Sequence, residues 1–71
     1  MPESDAKLLA RLIATSGLPA RQFAFRVMGR DERTIRRWLA GETMPPLART
    51  WLETIEVLEV TSRSIRIRLR L

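Results

Sequence analysis

Three glycines divide most of the chain into short amphipathic segments, and this division limits the possible folds more than any other feature. Gly17, Gly29 and Gly41 each follow a segment whose apolar residues recur with helical spacing, so that one face is apolar. A glycine directly after such a segment is a common stop signal for a helix. The pattern predicts three short helices, and the Pro45-Pro46 pair predicts a break before a fourth.

The predicted helices cover about residues 5–16, 20–28, 32–40 and 46–58. Ser4 and Asp31 are suited to cap the first and third helices, because their side chains can accept a backbone N–H in the first turn. Each helix has one apolar stripe, and the stripes together predict the core. The predicted core residues are Leu8, Leu9, Leu12, Ile13, Phe23, Ala24, Val27, Met28, Ile35, Trp38, Leu39, Leu47, Trp51, Ile55 and Leu58.

The last residues have a different period. From Ser64 onward apolar residues alternate with arginines, which predicts a β-strand over about residues 64–70. One strand in an otherwise helical chain has no ladder partner, and an exposed apolar edge promotes aggregation. We therefore expect the strand to pair with its copy in a second subunit, with Ile65, Ile67 and Leu69 in the dimer interface. The predicted fold is mainly α, with four helices and one C-terminal strand that pairs across a homodimer.

The composition excludes several classes of function. A chain of 71 residues is expected to form a single domain, and it contains no cysteine and no histidine. Disulfides, zinc fingers, thiolate nucleophiles and imidazole acid–base chemistry are therefore excluded, and we expect neither an enzyme nor a cofactor. No apolar run approaches the length of a membrane span and the N-terminus does not resemble a signal peptide, so a cytoplasmic protein without membrane contact is expected.

The positive charge is concentrated in two parts of the chain. Residues 18–41 and residues 61–71 each carry a net charge of +4, whereas residues 42–60 carry −3, and twelve of the thirteen basic residues are arginine. Arginine recognises phosphate and guanine through two parallel hydrogen bonds, so a polyanion is the first candidate partner. Coding bias is the alternative explanation of the arginine count.

Two short segments joined at a glycine, the second with an arginine-rich face, are typical of a helix-turn-helix protein. The stretches Ser16–Pro19, Phe23–Ala24 and Asp31–Glu42 make the similarity more specific, and over about residues 6–58 the chain resembles the Cro and phage-repressor type of helix-turn-helix domain. In that family the third helix contains a Thr, an aliphatic residue, two variable residues, a Trp and a small-x-Gly stop. The resemblance implies a helical bundle that binds operator DNA as a dimer, with its third helix in the major groove.

The chain departs from the family pattern around the turn. Members usually have a small residue four positions before the turn glycine, but Phe25 occupies that position here and Ala24 lies five before Gly29. We therefore expect a turn that is one residue longer. Arg30 stands where the family commonly has an apolar residue, and Gln22 is displaced from the usual position of a helix-two Gln.

The resemblance also implies roles for individual residues. Base readout falls to Glu32, Arg33 and Arg37, with Arg36 on a base or a phosphate, and the candidate phosphate contacts are Arg21, Thr43 and Arg49. Arginine on guanine and glutamate on cytosine favour half-sites that contain G·C pairs. A simpler alternative is that Glu32 and Arg36 form only a surface ion pair. Arg33 and Arg37 have like charge one turn apart, which favours an external ligand.

The tail has three possible interpretations. Two tails could form an antiparallel ribbon, as in the Cro branch of the family, or the strand could enter a DNA groove directly. A third possibility is that the arginines only keep an exposed edge from aggregating.

The function expected from these features is transcriptional repression. A homodimer would occupy a pseudo-palindromic operator in double-stranded DNA, as a cytoplasmic protein associated with the nucleoid, and without a small-molecule ligand. The resemblance further suggests a phage or mobile-element origin. The competing hypothesis is an antitoxin-like or adaptor module that binds another protein through the C-terminal strand or the acidic fourth helix.

Overall fold

The computed structural model describes the backbone of residues 3–69 and the side chains of residues 3–58. The described backbone is helical apart from short connections and contains no strand, so the predicted mainly α class is confirmed for that part of the chain. Helix α1 spans Asp5–Ser16, and α2 consists of an α-helical part, Ala20–Phe23, and a π-helical turn, Ala24–Met28. Helix α3 spans Glu32–Leu39 and α4 spans Pro46–Leu69.

The predicted helix caps are present. The Ser4 hydroxyl accepts the amide of Lys7 at 3.2 Å, and Oδ1 of Asp31 accepts the amide of Thr34 at 2.9 Å. Both caps satisfy backbone donors that have no partner inside the helix. At the C-terminal end of α2, Gly29 has φ +63°, a left-handed conformation that residues with side chains rarely adopt.

The core lies where α1 packs against α3 and α4, and α2 against α3. The buried residues are Leu8, Leu9, Leu12, Phe23, Ala24, Ile35, Trp38, Met44, Ala48 and Leu52. Ile13, Leu18, Val27, Met28 and Leu39 pack around this cluster and are partly buried. The core predicted from the first three helices is therefore confirmed, with Ile13, Val27, Met28 and Leu39 at its margin.

The predicted buried face of α4 is wrong for three of its four residues, and only Ile55 is partly buried. Leu47 is 84% exposed, Leu58 is 61% exposed, and Ala48 and Leu52 are buried in their place. The first turns of α4 have apolar residues at adjacent positions, so the sequence contains two overlapping stripes with the same helical spacing. Packing against α1 selects between them. Trp51, predicted to lie in the core, is 47% exposed and donates its indole N–H to the carbonyl of Val27 at 2.9 Å.

The extra residue that was expected in the turn between α2 and α3 lies inside α2. The carbonyl of Ala24 accepts the amides of both Gly29 and Arg30, five and six residues later, which widens the last turn of the helix. A π-helical turn takes up one extra residue in this way. Its consequence is that Ala24 is buried whereas Phe25 is 80% exposed.

The structure differs from the sequence-based prediction at the C-terminus. Helix α4 continues past residue 58 to Leu69 and includes nearly all of the predicted strand, residues 64–70. A single chain offers this segment no strand partner, and a helix satisfies its backbone hydrogen bonds locally. The side chains of Ile65, Ile67 and Leu69 lie outside the described residues, so their contacts in a dimer stay a prediction. Within residues 3–69, no helix combines the length and apolar content needed to cross a membrane.

Candidate nucleic-acid interface

Helix α3 has one buried face and one exposed, basic face. Ile35 and Trp38 fix the helix against the core, and the Asp31 cap fixes its start. Hydrogen bonds from the side chain and the amide of Thr34 hold the pKa of Asp31 below its usual range. The helix is therefore held rigidly by its apolar side, which is the support that a recognition surface requires.

The residues predicted to contact bases lie together on the exposed face. Arg33, Arg36 and Arg37 are all exposed. They line one shallow depression, together with Glu32, Ala40 and Glu42. The prediction that these four side chains share one surface is therefore consistent with the structure, although their contact with bases stays a prediction.

Two of these arginines have ion-pair partners in the chain. Nη2 of Arg36 lies 3.3 Å from Oε2 of Glu32, one helical turn earlier, so the predicted surface pair is formed. Nε of Arg37 lies 3.5 Å from Oε2 of Glu42. Both arginines and Glu42 are well exposed and Glu32 is 35% exposed, and surface ion pairs of this kind contribute little to stability. A phosphate or a guanine edge can therefore replace either carboxylate at small cost.

A second cleft lies between α2 and the start of α3. It is lined by Arg21, Gln22, Phe25, Arg26, Arg30, Asp31 and Glu32. Arg21, a predicted phosphate contact on α2, thus shares a surface with Glu32 of the predicted recognition helix. Glu32 lines both depressions, so the two adjoin at the start of α3.

Sequence reasoning missed Arg26 and Arg30 as members of this surface. Among the described residues, no carboxylate lies within ion-pair distance of Arg21, Arg26, Arg30 or Arg33. The available signal was the number of arginines, because residues 18–41 contain six and only four of them have predicted DNA contacts.

Arg49 is not part of this surface. Its Nη1 donates to the carbonyl of Glu3 at 2.8 Å and to Oδ1 of Asp5 at 3.0 Å, and its Nε donates to Oε1 of Glu53 at 2.8 Å. The hydrogen bond to Glu53, together with that to Asp5, raises the pKa of Arg49. The guanidinium therefore ties the start of α4 to the start of α1, and we do not retain it as a phosphate contact.

A neighbouring ion-pair group also joins α1 to α4. Arg11 donates to Glu3 and to Glu56. The hydrogen bond from Arg11 holds the pKa of Glu3 below its usual range. The acidic groups of α4 are thus partly neutralised within the chain, away from the basic surface.

Thr43 lies exposed in the connection between α3 and α4, one residue after Glu42. It makes no side-chain hydrogen bond among the described residues, and its predicted phosphate contact stays a prediction.

Comparison of the chain with models of known protein families, with curated proteins and with solved structures gives no match.

Proposed function

We propose that this protein is a sequence-specific DNA-binding transcriptional repressor that acts as a homodimer on a pseudo-palindromic operator. The observation that carries the proposal is the outer face of α3, where Arg33, Arg36 and Arg37 are exposed on a helix whose inner face is buried. An arginine face on a helix held in this way has the dimensions to enter the major groove, which is about 12 Å wide.

The proposed docking uses α2 and α3 as a helix-turn-helix pair. Arg33 and Arg37 lie one turn apart, so both can point toward neighbouring base pairs and bind guanine O6 and N7 through two hydrogen bonds. Arg21 and Thr43 are proposed to contact phosphates, which orient the protein without distinguishing sequences. Repression then follows from occupancy, because the bound dimer blocks access of the polymerase.

The dimer is proposed to form through the C-terminal residues. In the proposed dimer the two tails pair as strands, with Ile65, Ile67 and Leu69 in the interface. The last turns of α4 must then change from helix to strand when two chains meet. The strand partner that a single chain lacks would then come from the second chain. A two-fold dimer would present two α3 helices to half-sites about 34 to 36 Å apart, one turn of DNA.

The competing interpretation, an antitoxin-like or adaptor module that binds through the acidic α4, has weaker support. Glu53 pairs with Arg49 and Glu56 pairs with Arg11. These pairs reduce the negative charge that residues 46–58 of α4 offer to a partner. The exposed arginines of α3 would also have no role in such a module.

The decisive experiment is selection of bound duplexes from a random pool, followed by titration of the best duplex at several salt concentrations. If each subunit neutralises about four phosphates, the plot of log K against log salt should have a slope of about −7. Arg33→Ala should weaken binding at least about fivefold, since a lost bidentate base contact costs about 1 to 3 kcal/mol. Lys7→Ala, which removes an exposed charge from α1, is the control and should change little. A slope no steeper than about −2, or failure to enrich any sequence, would refute the proposal.

Base readout and phosphate contact are separated by comparing Arg37→Ala with Arg21→Ala. Loss of Arg37 should relax the preference at one symmetric pair of operator positions, whereas loss of Arg21 should weaken all duplexes about equally. Competition titrations at one salt concentration give the ranking of single-base variants. If Arg37→Ala keeps the wild-type ranking, then Arg37 does not contact a base.

A further inference from the structure

An apolar groove separates the end of α2 from the beginning of α4. Phe25, Leu47 and Trp51 stand along it, and these three account for most of the large apolar side chains that the described residues leave exposed. Its other lining residues are Arg26, Val27, Met28, Gly29, Arg30 and Ala48. Isolated exposed apolar residues are ordinary, but several that converge on one groove mark a contact surface.

The groove is a direct result of the two departures of the fold from the sequence pattern. The π-helical turn places Phe25 outside, and the position of α4 places Leu47 outside rather than in the core. Trp51 also lines the groove, and its hydrogen bond to the carbonyl of Val27 fixes the position of its ring. The apolar surface is thus built on rigid elements.

The charged residues that line the groove are all basic. Arg26 and Arg30 line it, no acidic residue does, and neither arginine has a carboxylate within ion-pair distance among the described residues. An occupant that complements both features must bring apolar side chains on one face and carboxylates beside them. We propose that this groove binds an acidic amphipathic helix of another protein, with its apolar face on Phe25, Leu47 and Trp51 and its carboxylates on Arg26 and Arg30.

Other occupants match the groove less well. Residues 61–71 carry four arginines and no acid, so the tail of this chain or of a second copy would bring like charges to Arg26 and Arg30. The acidic residues Glu53 and Glu56 of a second copy are already paired within their own chain. Nucleic acid could pair with the two arginines, but it would leave Val27, Leu47 and Ala48 without an apolar partner.

The proposal is tested with a synthetic probe. The probe is a fluorescein-labelled, 18-residue helix with Leu or Phe at positions i, i+3, i+4 and i+7 and Glu on the opposite face. A peptide with every Glu replaced by Lys, and one with the same composition in scrambled order, are the controls. We expect the acidic peptide to bind the full chain with a Kd on the order of 10 µM, and both controls to bind at least about tenfold more weakly. Binding should shift the emission of wild-type protein, and Trp51→Phe should abolish the shift because only the buried Trp38 remains.

Exposed positions provide a matched pair of variants. Leu47→Ser should weaken binding of the acidic peptide about tenfold, whereas Val57→Ser, also on an exposed part of α4 but outside the groove, should leave it unchanged. Neither variant removes a buried side chain, and far-UV circular dichroism confirms that both stay folded. Arg26→Glu should reduce the preference for the acidic over the lysine peptide.

Three results would overturn the proposal. The first is equal affinity for the acidic and control peptides, and the second is an unchanged affinity after Leu47→Ser. The third is evidence that the groove binds a second copy of the chain or DNA instead. If light scattering shows that the wild type self-associates and Leu47→Ser does not, the groove binds a second copy. A selected duplex that shifts Trp51 emission and binds Phe25→Ser at least about tenfold more weakly would assign it to DNA. Because the peptide assay contains no DNA, its outcome is independent of the proposed repressor function.

Discussion

The position of α4 against the core can be tested with two leucines that the sequence and the structure rank in opposite order. The sequence pattern predicts Leu47 in the core, whereas in the structure Leu52 is fully buried and Leu47 is 84% exposed. Leu52→Ala and Leu47→Ala remove the same atoms from the same helix and replace them with the best helix former. Helix propensity changes little in either variant, so the difference between the variants reports mainly burial.

The expected magnitude follows from the buried carbons. Leu52→Ala removes three buried carbon atoms, each worth about 0.8 kcal/mol, and leaves a cavity, so the free energy of unfolding should fall by about 2 to 5 kcal/mol. A domain of this size has a total of roughly 4 to 10 kcal/mol. A loss of about 3 kcal/mol would lower Tm by roughly 12 to 24 °C. Leu47→Ala should stay within about 0.5 kcal/mol of the wild type.

The assay is urea denaturation followed by far-UV circular dichroism. Both variants and the wild type are measured at one protein concentration, because unfolding of a dimer depends on concentration. If Leu47→Ala costs more than Leu52→Ala, then α4 in solution buries the face predicted from the sequence, and the groove beside Trp51 does not exist in that form.

Three further predictions concern the ion pairs and the tail. Arg49→Met should lower Tm, because it removes the hydrogen bonds from α4 to Glu3 and Asp5. The affinity of the folded variant for DNA should stay unchanged. A large loss of affinity in a fully folded variant would show that Arg49 contacts phosphate. The pKa of Glu3 is lowered in the folded protein, so the bond between Glu3 and Arg11 stabilises the fold at pH values above the ordinary pKa of Glu3. This stabilisation is lost as the pH falls through the lower pKa of the folded state. The difference in Tm between wild type and Glu3→Gln should therefore vanish well below about pH 4. An unchanged difference at low pH would rule out this carboxylate as the source. Deletion of residues 63–71 should give a monomer by light scattering, and a folded dimer at micromolar concentration would place the interface elsewhere.

The features of α3 were accessible from the sequence because they are local. An Asp cap, an apolar stripe of Ile35 and Trp38 and a glycine stop determine both that the helix forms and which side faces outward. Once the apolar side is known, the positions of Arg33, Arg36 and Arg37 on the opposite side follow from helical geometry alone. The candidate recognition face was therefore predictable residue by residue.

The role of Arg49 was not predictable in the same way. Its partners Glu3 and Asp5 lie more than forty residues earlier in the chain. Only the packing of α4 on α1 brings these groups together. Arg26 and Arg30 were missed for a related reason, since the cleft that they line exists only between two helices.

Local sequence signals are enough to predict the helical class, the four helix starts and the inner faces of α1, α2 and α3, because caps, glycines and apolar period act within a few residues. Packing between helices selects which of two adjacent apolar stripes of α4 is buried, and it brings Phe25, Leu47 and Trp51 to one groove. Local spacing is nearly the same for both stripes of α4, so only the neighbouring helix distinguishes them. Burial of Ala48 and Leu52 against the core leaves Leu47 and Trp51 at the surface, and the wide last turn of α2 brings Phe25 beside them.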